Sequence, residues 1–246
     1  MINNKALEQY INQYLNVANF SDYCPNGLQI EGKSEIFNII SGVSANQALI
    51  DQAIDEKADA LLVHHGFFWK GEDQVLTGIK KNRIKALLEN DINLYAYHLP
   101  LDAHPVVGNN MQLAMRLNIQ NPTPIGDTLV WQGEVDAPLS EVAQSVMNVT
   151  ARAPQVFGEK HAQVQTIAWC SGGAQSYIKH AIDINADCFI TGEVSEQIPA
   201  IAKENNIAFI AAGHHATERY GVQALAQHLA QQFSLGHQYI DIDNIV

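Results

Sequence analysis

Apolar stretches of strand length alternate with amphipathic stretches of helix length along nearly the whole chain. Apolar residues that recur every three or four positions indicate helices, and short apolar runs bounded by polar residues or glycine indicate buried strands. Residues 126–136 alternate like an exposed strand, and residues 139–151 have helical periodicity. The pattern predicts an α/β fold. The strand-like runs are IFNIISGVS, ALLV, INLYAYH, TIAWC, CFIT and IAFIAAG.

An internal repeat relates the two halves of the chain. With a shift of 128 residues, the segment 47–59 (QALIDQAIDEKAD) lies over 175–187 (QSYIKHAIDINAD), and seven of the thirteen positions are identical. Two amphipathic helices can match by chance, but a strand-like run follows both copies, which favours a duplicated α/β unit. We therefore expect two halves, residues 1–125 and 126–246, with a ligand site between equivalent strand ends.

Two adjacent histidines, His64 and His65, follow the apolar run ALLV. In the second half the repeat places Gly192 and Glu193 at the equivalent positions. Successive side chains of a strand point to opposite faces, so the two imidazoles diverge if the strand continues, and Gly66 allows a turn directly after them. One interpretation is a polar strand terminus, and the other is a pair of ligands for two neighbouring metal ions.

A second polar cluster, YHLPLDAH (97–104), follows another strand-like run. Pro100 stops a regular strand or helix, which predicts that Asp102 lies in a loop at the strand end. His98 lies four residues earlier, near the same rim. A capped loop explains these residues as well as a ligand site does.

A third polar cluster lies in AAGHHATERYG (211–221). A helix is expected to begin near His214, and residues four apart share a helical face, so His214 and Glu218 present an imidazole and a carboxylate together. His215 points about 100° away and is the weaker candidate. The alternative is a helix start with an acidic residue favoured by the helix dipole.

The three strand ends together offer mixed imidazole and carboxylate ligands, which suit zinc, iron, manganese or nickel. A bridging carboxylate is a common way to hold two ions about 3.5–4 Å apart. The shared placement of these residues after apolar runs favours a metal site over three unrelated structural features. The candidate ligands are His64, His65, Asp102, His214 and Glu218.

Composition narrows the partners and the location. The 246-residue chain has a net charge of −12, and its 14 lysines and arginines form no basic patch, which argues against binding to duplex nucleic acid. Its three cysteines are far apart and form no CxxC motif, so we expect reduced thiols. Without a signal-peptide core or an apolar run of about 18 residues, the chain is expected to be cytoplasmic, with no membrane segment.

Five motifs resemble those of the GTP cyclohydrolase I type 2 homologs, the Nif-three-like family, and occur in the family's order. The chain is similar to the short bacterial form that lacks an inserted domain. The resemblance implies duplicated α/β halves in a Nif-three-like fold, a ring-shaped homohexamer, and a two-metal site between the halves that faces the ring interior. The motifs are CPNGLQIEG, LLVHHGFFW, YHLPLDAHPVVGNN, TGEVSEQ and GHHATER.

The resemblance also implies roles for individual residues. His64 and His65 match the family's histidine pair, and Asp102 matches the aspartate of the third of these motifs. The histidine directly after glycine and the glutamate four residues later match the last two ligands, which selects His214 and Glu218.

Two further residues, His98 and Glu193, match polar positions that line the family's site. Either side chain is a candidate general acid or base. The alternatives are support of a metal ligand for His98 and a place in a helix N-terminal cap for Glu193.

The activity that the resemblance implies is metal-dependent hydrolysis of a nucleotide or another small molecule, with a GTP cyclohydrolase-like reaction as one form of it. A bound metal ion would lower the pKa of a coordinated water toward about 7. The same ligands would serve a non-enzymatic adaptor, metal chaperone or regulator. A hydrolase keeps an open coordination position, whereas protein ligands close a structural metal site.

Overall fold

A computed structural model of the chain describes all 246 residues and divides into two compact units. The first unit comprises Met1–Gly108 and Gly221–Asp243, and the second comprises Asn109–Tyr220 and Asn244–Val246. These units are defined by packing, whereas the halves expected from the repeat concern duplication of the sequence. The boundary drawn near residue 125 stays a prediction about that duplication.

Nine α-helices and thirteen strands form the two units. The helices are α1 (Asn4–Tyr14), α2 (Gln47–Asp55), α3 (Gly78–Glu89), α4 (Leu99–Ala103), α5 (Asn109–Arg116), α6 (Leu139–Thr150), α7 (Ile178–Asp183), α8 (Ile198–Glu204) and α9 (His214–Phe233). The strands are β1 (Ile2–Asn3), β2 (Gly27–Ile30), β3 (Glu35–Ile36), β4 (Asn38–Ser44), β5 (Ala60–His65), β6 (Asn93–Ala96), β7 (Gln120–Pro124), β8 (Trp131–Pro138), β9 (Gln155–Phe157), β10 (Gln163–Trp169), β11 (Cys188–Thr191), β12 (Ala208–Ala211) and β13 (Gly236–Tyr239).

The first unit is built on a five-stranded sheet in the order β13-β4-β5-β6-β2. The first four of these strands run parallel, and β2 closes the edge antiparallel to β6. Side chains alternate between two apolar cores, as strand geometry requires. Leu62 and Tyr95 pack in the core that contains residues of α1 and α9, whereas Leu61 and Leu94 pack in the core that contains residues of α2 and α3. Burial on both faces explains the continuous apolar run in β5.

The second unit is built on a six-stranded sheet in the order β7-β8-β10-β11-β12-β9. Its central strands β10, β11 and β12 run parallel, while β8 and β9 flank them in the antiparallel direction. Ile190 and Ile210 pack in the core that contains residues of α5 and α6, and Phe189 and Phe209 pack in the core that contains residues of α7 and α8.

The two sheets confirm the duplicated α/β fold. The order β4-β5-β6 in the first sheet matches β10-β11-β12 in the second, and each set ends at an antiparallel strand, β2 or β9. The turn after the repeated helix is also the same. Lys57 and Asn185, which are 128 positions apart, both have left-handed backbone conformations, with φ of 54° and 56°. The N–H of the following residue returns to a helix carbonyl at 2.9 Å in both copies.

The structure corrects one local expectation and supports others. Asp102 does not lie in a loop, because Leu99–Ala103 forms the short helix α4. Pro100 lies in its first turn, where the missing N–H has no helical acceptor to lose. The helix expected over 139–151 is present as α6, and the exposed strand expected over 126–136 lies slightly later, as β8.

No helix combines the length and apolar character needed to cross a membrane.

Candidate metal centre

The histidine pair ends strand β5 in the first unit. His64 is fully buried, and its Nδ1 donates a hydrogen bond to the Tyr97 carbonyl at 2.8 Å. His65 is less buried, and its Nδ1 is 3.0 Å from the Ser44 hydroxyl. The strand turns the two side chains into different surroundings, yet their ring centroids remain 4.6 Å apart. The two side chains diverge, as expected for adjacent residues of a strand, but their rings remain close enough to contribute to one site.

His98 follows strand β6 and lies beside this pair. Its ring centroid is 5.1 Å from that of His64 and 5.8 Å from that of His65. One ring nitrogen of each histidine lies within 4.8 Å of the others, an arrangement that could hold a metal ion. We call these three residues the imidazole cluster. The rings of Trp69 and His98 are nearly perpendicular, with centroids 5.0 Å apart, so this tryptophan packs against the cluster.

Helix α4 brings a carboxylate to the cluster. Its first turn forms as the Asp102 N–H donates to the His98 carbonyl at 3.1 Å. Asp102 is only 5% exposed, and its Oδ2 lies 3.5 Å from Nε2 of His64. The first unit thus supplies the candidate ligands His64, His65 and Asp102 within one small region.

Sequence reasoning missed Asp22, which lies just before the CPNGLQ turn. Its Oδ1 is 2.7 Å from Nδ1 of His98 and 2.6 Å from the Tyr23 N–H, and its Oδ2 accepts from the Asn26 amide and the Leu99 N–H. Burial alone would raise the pKa of this carboxyl, but hydrogen bonds from His98 and Asn26 hold it at about 2. Asp22 is therefore a charged acceptor with both oxygens occupied.

Cys24 lies close to Asp22 and His98, and the three could form a further metal group. Burial, reinforced by the nearby Asp22 charge, raises the pKa of the Cys24 thiol to about 12. A protonated thiol is neither a strong nucleophile nor a ready metal ligand. The Asp22 oxygens already accept four donors, so this group supports the cluster rather than forming a separate centre.

In the second unit, α9 begins at His214, as expected from the sequence. One helical turn separates His214 from Glu218, and Nε2 of the histidine lies 3.2 Å from Oε2 of the glutamate. Glu193, in the loop after β11, lies on the other side of the ring, with Oε1 2.6 Å from Nδ1 of His214. The predicted shared helical face is therefore present, and Glu193 supports the histidine from outside it.

The two carboxylates alter the proton affinity of His214. Burial alone would lower the pKa of this imidazole, but hydrogen bonds and charge interactions with Glu218 and Glu193 raise it to about 9. The site therefore favours a positive charge at this place. A divalent cation bound at Nε2 would replace the proton and meet the same carboxylate charge.

A glycine lets the chain pass close to this pair. Gly172 has φ of +69°, and a Cβ built there would lie 2.1 Å from Oε1 of Glu218. Its N–H donates to the Thr217 hydroxyl at 2.9 Å. In the sequence, this close approach is indicated only by the pair of glycines in SGG, directly after the strand-like run TIAWC. The spacing along the chain does not show that these glycines contact α9.

The histidines have the hydrogen bonding expected of metal ligands. Such residues usually engage one ring nitrogen with a protein acceptor and present the other to the metal. Nδ1 has a protein partner in His64, His65 and His214, so Nε2 is the atom that each ring would offer to a metal. Nε2 of His64 and of His214 each lies near a carboxylate oxygen. The donor set therefore fits a divalent metal ion. His215 belongs to none of the possible metal-holding groups.

Comparisons with known proteins identify a family over nearly the whole chain. Residues 2–244 match the family described as Duf34/NIF3 (NGG1p interacting factor 3). The chain is 51% identical to the GTP cyclohydrolase 1 type 2 homolog of Yersinia pestis, with 98% of each chain covered. It is 50% identical to the Escherichia coli K12 protein of the same name, again over 98% of each chain.

Solved structures show the same fold. The structure of protein ybgI, described as of unknown function, matches over 100% of both chains with a TM-score of 0.95 and 49% identity. Protein TTHA1606 from Thermus thermophilus matches over 100% of both chains with a TM-score of 0.92 and 36% identity. With the family match extending from residue 2 to residue 244, the chain belongs to the Duf34/NIF3 family.

Proposed function

We propose that this protein binds two divalent metal ions and uses them to hydrolyse a nucleotide or another small molecule. The ligands in this proposal are the five given by the sequence, with Glu218 shared by both ions. The observation that carries the proposal is the common orientation of the histidines, which engage Nδ1 with protein groups, as metal-binding histidines do, while Nε2 of His64 and of His214 lies near a carboxylate oxygen. Zinc, iron, manganese and nickel all suit this donor set.

The chemistry follows from the ligands and their neighbours. Bound ions would lower the pKa of a coordinated water and polarise the electrophile. His98 lies within 4.8 Å of the histidine pair without being one of the proposed ligands, which suits a residue that moves a proton to or from the substrate. Glu193 holds the imidazole of His214 through Nδ1 and is the second candidate for proton transfer.

Two further parts of the proposal come from the family resemblance. We propose a homohexameric ring and a cytoplasmic location. Sedimentation or light scattering of the purified protein checks the first, since a hexamer of a 27.1 kDa chain is easily separated from a dimer. Fractionation of cells that produce the protein checks the second.

Turnover measured with and without metal tests the proposed reaction. GTP is the first substrate to assay, because curated relatives carry the name GTP cyclohydrolase 1 type 2 homolog. We expect chelation to abolish turnover and re-addition of one of the four metals to restore it. His98→Gln should reduce kcat about 10²–10⁴-fold while metal content is retained. Turnover that survives both changes would refute the mechanism, and a metal-loaded protein inert to a broad substrate screen would favour the adaptor or chaperone alternative.

A further inference from the structure

The Asp22 carboxylate and the His98 imidazole form a buried pair whose geometry is set by several other groups. The side chain of Asp22 is 3% exposed, and that of His98 is 14% exposed. The distance from Oδ1 to Nδ1 is 2.7 Å, which is the length of a charge-assisted hydrogen bond. An ionised carboxylate only accepts hydrogen bonds, so the ring nitrogen that faces it carries the hydrogen.

We propose that Asp22 is a positioning residue that holds neutral His98 as the Nδ1–H tautomer and so keeps the lone pair on Nε2, the ring nitrogen that does not face Asp22. This inference rests on the proposed function, in which His98 moves a proton. Only a nitrogen with a free lone pair accepts a proton, so the tautomer decides which nitrogen of His98 can act as a base.

Asn26 fixes which oxygen of Asp22 faces the ring. The side-chain oxygen of Asn26 accepts from the backbone N–H of His98 at 2.7 Å. The NH₂ group of Asn26 therefore points at Oδ2 of Asp22, 2.9 Å away. The Leu99 N–H also points at Oδ2, at 3.0 Å. Two donors in fixed orientations therefore occupy Oδ2, while Oδ1 accepts from the imidazole and from the Tyr23 N–H.

The same arrangement predicts the effect of Asp22→Asn. The new side-chain oxygen should stay at the position that faces the Asn26 amide and the Leu99 N–H, since an NH₂ group there would oppose two fixed donors, whereas an NH₂ group at the other position opposes only one, the Tyr23 N–H. The new NH₂ group then lies opposite Nδ1 of His98. A donor at that place requires Nδ1 to accept, so the ring hydrogen moves to Nε2, which loses its lone pair.

Magic-angle-spinning ¹⁵N NMR of histidine-labelled, metal-free protein tests this at any assembly size, because nitrogens with and without hydrogen resonate far apart. Comparison with His98→Gln identifies the His98 signals. We expect neutral His98 to carry its hydrogen at Nδ1 in the wild type and at Nε2 in Asp22→Asn. The matched control is Asp51→Asn, an exposed acid on α2 of the same unit, which should leave the spectrum unchanged.

The result in the wild type decides the proposal even if the variant does not fold, since a hydrogen at Nε2 would overturn it. An unchanged tautomer in folded Asp22→Asn would also overturn it and leave Asp22 a structural role only. If a substrate is turned over, Asp22→Asn should lower kcat about 10–100-fold with little change in KM. An inactive wild-type protein with the expected tautomer would refute the proposed hydrolase while leaving the geometry of the pair established.

Discussion

Asp59 and Asp187, which occupy equivalent positions 128 residues apart, form the same pair of hydrogen bonds in the two units. One oxygen of each carboxylate accepts from two consecutive backbone N–H groups, at 2.8–3.0 Å, which lie in the neighbouring parallel strand or directly before it. They differ in one partner, since the other oxygen of Asp59 also binds the Lys33 ammonium at 2.7 Å and Asp187 forms no such ion pair. The two copies therefore allow an internal comparison of stability.

We predict that Asp59→Asn destabilises the protein more than Asp187→Asn. The oxygen of the new amide must stay on the two N–H groups, so in Asp59→Asn its NH₂ group faces the ammonium of Lys33. Asp59 is only 7% exposed, but solvent screens the ammonium of Lys33, whose side chain is 44% exposed, so Asp59→Asn should cost about 1 kcal/mol more than Asp187→Asn. Urea unfolding at pH 7 measures both changes.

This difference should depend on pH. Burial by itself would raise the pKa of Asp59, but the hydrogen bonds from Lys33 and from the two backbone N–H groups lower it below its ordinary value of 3.8. A lowered pKa in the folded state contributes stability that is present above the unfolded value and is lost as the pH falls through the folded one. The cost of Asp59→Asn should thus shrink at pH 2–3, and an equal cost at pH 7 and pH 2 would contradict this account.

Metal content tests the helical face of α9. His214→Gln and Glu218→Gln should each lower the metal bound per chain, because both remove a proposed ligand. His215→Gln is the matched control on the adjacent residue and should retain metal. Elemental analysis of folded protein measures this, with circular dichroism to confirm the helical content. Loss of metal in His215→Gln alone would show that the wrong histidine of the pair has been chosen.

The number of ions is a separate prediction. Five ligands that include a shared carboxylate are expected to hold two ions per chain when metal is saturating. Elemental analysis against a protein concentration from amino-acid analysis gives the ratio. A saturating value near one metal per chain would refute the two-metal proposal but would not show that the ligands were wrongly chosen.

Metal affinity should rise with pH. The pKa of His214 is raised from its ordinary 6.5 to about 9, so the folded, metal-free protein keeps a proton there through neutral pH. Binding must displace this proton, and the apparent Kd should fall about tenfold per pH unit until about pH 9. Because the pKa of His214 is raised by folding, the bound proton also stabilises the metal-free fold. This stabilisation is complete below about pH 6.5 and is lost as the pH rises through about 9.

Competition with a chromophoric chelator at three pH values between 6 and 8 measures this slope. Glu193→Gln removes one of the two carboxylates that raise the pKa of His214. The metal affinity of this variant should therefore stop rising at a lower pH than that of the wild type. A Kd independent of pH in the wild type would contradict the proton-displacement account.

Local pattern was enough to predict much of this protein. The alternation of strand-like and helical stretches predicted the α/β fold, and the repeat at 128 residues predicted duplicated sheets that the topology confirms. The pairing of His214 with Glu218 was predictable too, because one helical turn fixes the relation between residues four apart. These features depend on residues that are neighbours in the chain.

The remaining features required the tertiary structure. Asp22 meets His98 across 76 residues because the chain folds back between them, and no periodicity links the two. Pro100 begins a helix instead of ending a strand, since the first turn of a helix does not need its N–H. The tautomers of the ligand histidines depend on the acceptors that surround each ring, such as the carbonyl of Tyr97. The sequence determined which residue types could bind a metal, and packing decided which atoms face one another, because hydrogen bonds form between groups that the fold brings together.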